Sequence, residues 1–195
     1  KRVFAALLAL AVTVGSLVLP ARAAFTDTTG HWAETAITKW SEEYSIINGY
    51  EDGTFRPDNS ITRGAFAGIL DRFLKFQSTS PAGTFSDLSG NYWEDAILGN
   101  DGKALAENPI ARQQAVTMIA RAFNISGESA TVYYLDADQV ADYAKPYLAE
   151  MSALGYITDS SDGYFRPTDA ITRAEIVTIL DNMIEVLIQT STTYT

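Results

Sequence analysis

Three arginines are the residues best placed to do chemistry. Arg63, Arg112 and Arg173 each stand ten residues after the glycine of an Asp-Gly step, at Gly53, Gly102 and Gly163. A spacing that recurs three times marks an internal repeat rather than chance. Each arginine follows a short apolar lead (Ile61-Thr62, Ile110-Ala111, Ile171-Thr172) and opens a predicted helix. At a helix start the first N–H groups are free and the dipole is positive, which favours an anion. A guanidinium fork binds a carboxylate through two parallel hydrogen bonds, and lysine does this less well. The same three residues read equally well as structural ion pairs with a nearby Asp or Glu.

Aromatic rings accompany the arginines. Trp32, Trp93 and Tyr143 occupy one repeat position at predicted helix starts. An exposed ring can stack on a sugar face. The favoured reading is a partly packed ring with one edge turned to a groove. Asp27, Asp87 and Asp136 read as turn formers, and Arg56 and Arg166 as turn braces.

Other chemistries find little to work with. There are no cysteines, so disulfides and thiolate metal sites are excluded. His31 is the only histidine and reads as structural or groove-edge. No glycine-rich phosphate loop is present. Setting Gly53 or Gly163 at the glycine of an EF-hand loop leaves Asn59 or Asp169 where the bidentate glutamate belongs. Carboxylates are plentiful, but position singles out no pair for glycoside hydrolysis. Neither an enzyme nor a bound metal or cofactor is expected.

The charge balance narrows the partners. The 195 residues carry 14 basic and 24 acidic side chains. Lys1, Arg2 and Arg22 lie in a leader without acids, so the remainder holds 11 basic and 24 acidic residues, a balance of −13. Nucleic-acid binding needs a basic surface, and binding to an anionic membrane surface needs a polybasic patch. Neither is present. The leader has a basic head, an uncharged run from Val3 to Leu19, and small residues around Ala21-Arg22-Ala23. It reads as a secretory signal over 1–23. No later run is long enough to span a membrane.

Helices must position these residues. Ala33, Ile37, Trp40, Tyr44 and Ile47 fall on one helical face, with Gly49 as its expected stop. Phe66, Ile69, Leu70, Phe73 and Leu74 form a second stripe behind a Thr62 cap, with Ile61 and Phe66 as a hydrophobic staple. Copy three repeats this with Thr172, Glu175, Ile171 and Ile176, and its stripe runs through Ile179, Leu180, Met183 and Ile184. Copy two puts Ala111 at the cap and has a stripe of Val116, Ile119, Ala120 and Phe123. Trp32 to Gly53 is 21 residues and Tyr143 to Gly163 is 20, but Trp93 to Gly102 is nine. Copy two therefore lacks most of its first helix. One helix pair buries too little surface to stand alone, so three pairs are expected to share a core. The expected fold is mainly α: three helix-turn-helix copies in a pseudo-threefold assembly. The boundaries read as 24–77, 84–126 and 132–187, with 188–195 a polar, β-prone linker toward a further domain.

Phe25-Thr26-Asp27, Trp32-Ala33, Gly49-Tyr50-Glu51-Asp52-Gly53-Thr54-Phe55-Arg56-Pro57 and Ile171-Thr172-Arg173-Ala174-Glu175 resemble the signature of the S-layer homology (SLH) family. The resemblance runs from Phe25 to about Leu187. It implies a pseudo-trimer that holds, without a covalent bond, an anionic and often pyruvylated secondary wall polysaccharide of a bacterial envelope. It implies that Arg63, Arg112 and Arg173 contact the acidic sugar and that Trp32, Trp93 and Tyr143 line the grooves. The backbone at Gly49, Gly53, Gly99, Gly102 and Gly163 is expected to approach the sugar. It also implies an exported, cell-surface location and a covalently linked cargo domain. Departures from the signature are Gly64-Ala65 in copy one, Gln113-Gln114 in copy two, and Ile157-Thr158-Asp159 in copy three where Gly-Tyr is expected. One or two working grooves are expected rather than three. The competing reading is a protein-interaction or self-assembly module without sugar binding.

Overall fold

The computed structural model describes residues 25–74, 106–125, 131–157 and 161–192, with side chains as far as residue 185. The leader, Trp93, Gly99, Gly102 and Asp87 lie outside the described residues.

Helix caps written into the sequence start the second helix of each copy. These are α2 (Arg63–Leu74), α3 (Arg112–Ala122) and α5 (Arg173–Thr192). Thr62 Oγ1 accepts the Ala65 N–H at 3.2 Å. Thr172 Oγ1 accepts the Glu175 N–H at 3.2 Å, and Glu175 returns a carboxylate oxygen to the Thr172 N–H at 2.9 Å. In copy two Gln114 makes the return bond to Ala111 at 3.2 Å, but alanine offers no cap oxygen. The stripes behind these caps are buried: Phe66, Ile69, Leu70 and Phe73; Val116, Ile119 and Ala120; Ile176, Ile179, Leu180, Met183 and Ile184. Each such side chain contributes about 1.5–3 kcal/mol when fully buried. Secondary structure among the described residues is otherwise helical, with only isolated bridges of extended chain.

The first helices are α1 (Glu34–Thr38), which runs on as a π-helical turn (Lys39–Glu43), and α4 (Lys145–Ala153). The π turn accounts for the one-residue difference between copies one and three. Ile37 matches Leu148 and Trp40 matches Met151, and all four are 0% exposed. Beyond them copy one holds one extra residue. The Ile46 N–H reaches back six residues to the Trp40 carbonyl, whereas the Tyr156 N–H reaches back five to that of Met151. A π-bulge is the usual way for a helix to absorb a single insertion without turning its buried face outward.

Both first helices end on a left-handed residue, Ser45 (φ 54°) or Gly155 (φ 74°). Gly49 is therefore not the helix stop expected of it. Its φ is not positive, and a Cβ there would fall on the Phe25 ring and lie 2.7 Å from the Thr54 carbonyl oxygen. Close packing of the turn against Phe25 is what requires glycine. The polar tail also departs from expectation, because α5 continues as helix to Thr192. No glycine or proline follows Pro167 to stop it.

Backbone hydrogen bonds join the three helix starts in a closed ring. The Ile61 N–H donates to the Ile171 carbonyl (3.1 Å), Ile171 to Ile110 (3.0 Å), and Ile110 back to Ile61 (3.1 Å). All three isoleucines are at most 2% exposed. The first helices pack outside this ring, α1 against α5 and α4 against α3. Trp40 Nε1 donates to Asp181 at 3.0 Å, and Lys39 meets the same carboxylate at 2.7 Å. Copy one is thereby clasped to copy three. No helix among the described residues is long and apolar enough to cross a membrane.

Candidate functional site

The ring decides how each arginine is presented. Arg63, Arg112 and Arg173 are the first residues of their helices, as expected. Their backbone N–H groups are not free. They donate to the carbonyls of Asn108, Asp169 and Asn59, at 2.9, 2.9 and 3.0 Å. The next N–H groups, of Gly64, Gln113 and Ala174, donate to Ala106, Pro167 and Pro57. Each helix start is thus capped by the loop of the following copy. The first two N–H groups of each helix are thus taken, and in copies one and three the threonine cap takes the third, so recognition of an anion falls chiefly to the side chains. This overturns the free-N–H part of the sequence argument and leaves the guanidinium part standing.

The side chains follow the same cyclic direction. Arg173 Nε donates to the Phe55 carbonyl and Nη2 to the Asn48 carbonyl, both at 2.8 Å. Its guanidinium carbon lies 4.4 Å from the Phe55 ring centroid and 5.1 Å from that of Tyr50. Arg173 is 8% exposed. Burial pushes its pKa down, against the pull of Tyr50 and Asp27, and no carboxylate among the described residues pairs with it. Arg112 makes the matching bond from Nε to the Phe165 carbonyl at 2.8 Å. Unlike Arg173 it forms an ion pair, with Glu175 of copy three. Arg63 Nη1 donates to Gln114 of copy two at 3.4 Å.

The receiving turns are held by the repeated aspartates. Asp27 accepts the N–H groups of Phe55 (2.8 Å) and Arg56 (2.7 Å), and Asp136 those of Phe165 (2.9 Å) and Arg166 (2.7 Å). Arg56 and Arg166, both at φ 57°, pair with Asp52 and Asp162 inside their own turns. They brace, as the sequence suggests. Burial raises the Asp27 pKa, but the two backbone bonds outweigh it and leave the carboxyl below its ordinary 3.8. A depressed folded pKa adds stability above pH 3.8, which is lost as pH falls toward the folded value. Melting temperature is therefore expected to fall below about pH 4. Asp27→Asn should flatten that decline, which thermal scans from pH 7 to pH 3 would measure.

The rings are more open than the favoured reading. Trp32 is 64% exposed and Tyr143 47%. His31 anchors the Trp32 turn. Its Nδ1 accepts the Ala33 N–H at 3.1 Å, so Nε2 carries the proton that it shares with Asp58 at 3.1 Å. Asp58 sits between Pro57 and Asn59, whose carbonyls cap the Arg173 helix. Trp32 is thus tied to the Arg173 junction. Among the glycines, Gly53 (φ 80°) has nothing within 4 Å of where a Cβ would be, whereas Gly163 (φ 77°) lies beneath Leu135 at 3.3 Å. Only Gly53 of the pair has open space beside its Cα, though its N–H donates to the Tyr50 carbonyl and its own carbonyl accepts from Thr26. Tyr50 was not singled out by sequence, yet it is 42% exposed and lies against both Arg56 (3.9 Å) and Arg173.

The S-layer homology domain family matches residues 24–67 and 133–177. The chain carries S-layer homology domains. The matched spans contain Arg63 and Arg173 and the two complete turns, while Arg112 lies between them. The cellulosome-anchoring protein of Acetivibrio thermocellus is 28% identical over 162 residues, which is 74% of this chain and 36% of that protein. S-layer protein EA1 of Bacillus anthracis is 27% identical over 194 residues, 90% of this chain and 22% of that protein. Exoglucanase XynX of Acetivibrio thermocellus is 26% identical over 187 residues, 86% and 17% respectively. The chain therefore spans well under half the length of each of these relatives.

Proposed function

We propose that this chain is a non-catalytic module that anchors an exported protein to the bacterial cell surface. It holds an anionic secondary wall polysaccharide in the grooves between copies. A sugar-borne carboxylate, such as that of a pyruvyl ketal, meets a guanidinium there, and exposed Trp32 offers a face to the sugar ring while half-exposed Tyr50, stacked by Arg56, offers an edge. The observation that carries this reading is Arg173. It is a largely buried cation whose hydrogen-bond partners among the described residues are two carbonyls and no carboxylate. A buried charge without a counter-charge is costly, and an incoming anion relieves that cost. The S-layer and cellulosome-anchoring relatives support a surface role, and the exoglucanase relative extends far beyond the matched span. Catalysis, if the intact protein has any, belongs to a cargo domain in this reading.

The test is sedimentation of residues 24–195 with wall sacculi before and after chemical removal of the secondary polymer. Saturable pelleting that disappears with the polymer is the expected result. Pelleting indifferent to polymer removal would favour the protein-interaction alternative.

A further inference from the structure

Asn48 and Gly49 form the only Asn-Gly step in the chain. Asparagine is a thermolabile residue, and a glycine after it, having no Cβ, leaves its own amide nitrogen unshielded. Asn48 is exposed, and its side-chain amide makes no hydrogen bond among the described residues. The Gly49 N–H makes none there either. The neighbouring Asp52-Gly53 step is closed to the same chemistry. The Gly53 N–H donates to the Tyr50 carbonyl at 3.1 Å. Thr54 and Arg56 hold the Asp52 carboxyl ionised, its pKa lowered to about 2, and an ionised carboxylate is a poor electrophile. What gives Asn48 its importance is its main-chain carbonyl, which accepts Arg173 Nη2 at 2.8 Å.

We propose that Asn48-Gly49 is a self-modification site whose isoaspartyl product sets a carboxylate on Arg173 and so shuts the groove between copies three and one. This rests on the anchoring reading and adds a chemical timer to it. The Gly49 nitrogen attacks Asn48 Cγ, the bond from Cγ to the side-chain nitrogen breaks, and ammonia leaves with the proton that Gly49 gives up. Water then opens the resulting succinimide ring on one side or the other, and each opening releases one proton as the new carboxyl ionises. Opening at Cγ gives aspartate and restores the main chain. Opening at the main-chain carbonyl carbon gives isoaspartate. The peptide then runs through Cβ and Cγ, and the former main-chain carbonyl becomes a free carboxylate. That group stays on an α-carbon held by the preceding Ile47, which is 1% exposed. It keeps its place beside Arg173 Nη2, now as an anion. A tethered carboxylate competes with any ligand carboxylate for the same guanidinium. It also supplies the counter-charge that buried Arg173 lacks among the described residues.

Ageing the protein tests the assignment. Residues 24–195, fresh or held in warm, mildly alkaline buffer, would be mapped by peptide mass spectrometry and titrated with wall sacculi. Asn48 should convert to products heavier by the difference between a hydroxyl and an amino group, with isoaspartate identified by labelling with an isoaspartyl methyltransferase. The separated isoaspartyl protein should bind sacculi at least about tenfold more weakly than fresh protein. Its Arg173 Nε–H resonance should move before any polymer is added. Asn48→Gln keeps the carbonyl that Arg173 uses but can close only to a less favoured, larger ring. That variant should bind like fresh protein and keep its binding through the same ageing. An Asn48 left intact by ageing would overturn the site. Isoaspartyl protein that binds as well as fresh protein, or whose Arg173 resonance is unmoved, would overturn its effect on the groove. So would an Asn48→Gln variant that loses binding at the same rate. These results leave the anchoring reading intact. Fresh protein that does not bind sacculi would instead overturn the anchoring reading, and the groove-closing role with it.

Discussion

Arg173→Gln is expected to weaken binding to wall sacculi by at least about thirtyfold while leaving the fold nearly as stable as before. Removing one member of a desolvated, hydrogen-bonded charge pair costs about 2–5 kcal/mol, chiefly through the charge left behind. Here the charge left behind is the sugar carboxylate. Stability should respond differently. Arg173 is buried with no carboxylate partner among the described residues, so its removal relieves a desolvation penalty. Against this, the Phe55 and Asn48 carbonyls lose their donor, which costs a few kcal/mol at most. Glutamine can still reach one of them. Arg173→Lys keeps the charge but not the fork, and should fall between the two, because one ammonium cannot bond both carbonyls and a carboxylate in the guanidinium plane. Binding isotherms on sacculi and melting temperatures of the same preparations would measure both effects. Binding lost in step with a collapsed melting temperature would mean that Arg173 is only a brace for the copy-one turn.

Trp40→Ala should be the most destabilising single change in the described part of the chain, costing about 3–5 kcal/mol. Trp40 is 0% exposed and meets Phe73 edge-on at 5.1 Å and Tyr44 at 5.5 Å. Its indole N–H also satisfies Asp181, which is 8% exposed. The substitution therefore opens a cavity inside copy one and loosens the clasp to copy three. Against a total of about 5–15 kcal/mol for a domain, that loss removes a large fraction of the stability, and at the lower end of the range it populates unfolded chains at room temperature. Asp181→Asn should be milder, because an amide oxygen still accepts from Trp40 while Lys39 loses one ion pair and keeps the longer one to Glu185 at 3.7 Å. Burial lowers the Lys39 pKa, but Asp181 outweighs it and holds the ammonium above its ordinary value. Urea denaturation would rank the two. A Trp40→Ala loss below about 1 kcal/mol would show that the clasp adds little to the joint between copies one and three.

Local signals were legible and long-range ones were not. The constant ten-residue interval placed all three arginines at the first helical position, and Thr62 and Thr172 were found as caps because capping is decided within four residues. Arg56 is legible as a turn brace for the same reason, since Asp52 lies four residues away, whereas Asp27 and Asp136 read as local turn formers but grip turns 28 and 29 residues further on. The extra residue of copy one was visible as a spacing mismatch, but only the structure shows that a π turn absorbs it. What failed depends on contacts between copies. The helix N–H groups were expected to be free because no local acceptor is in sight, yet their partners lie in the loop of another copy, at Asn108, Asp169 and Asn59. Gly49 was read as a helix stop because glycine commonly serves as one, whereas Phe25, 24 residues earlier, sets its size. Trp32 reads from the sequence as partly packed with one edge toward a groove, because tryptophan usually buries most of its ring, yet it is 64% exposed. Its exposure follows from the His31–Asp58 tie, which fixes the turn from outside the core.

The claim that a wall-polymer carboxylate is what the module grips can be tested with one calorimetric comparison. Secondary polymer released from sacculi would be split in two, and one half treated with carbodiimide and ammonia to turn its carboxylates into neutral amides. Both halves would then be titrated into the same protein. Saturable heat with the native polymer, and affinity at least about tenfold lower with the amidated one, is the result expected from a guanidinium–carboxylate contact. Equal affinity for both would contradict it, and would leave the arginines as braces of a module that recognises something other than charge.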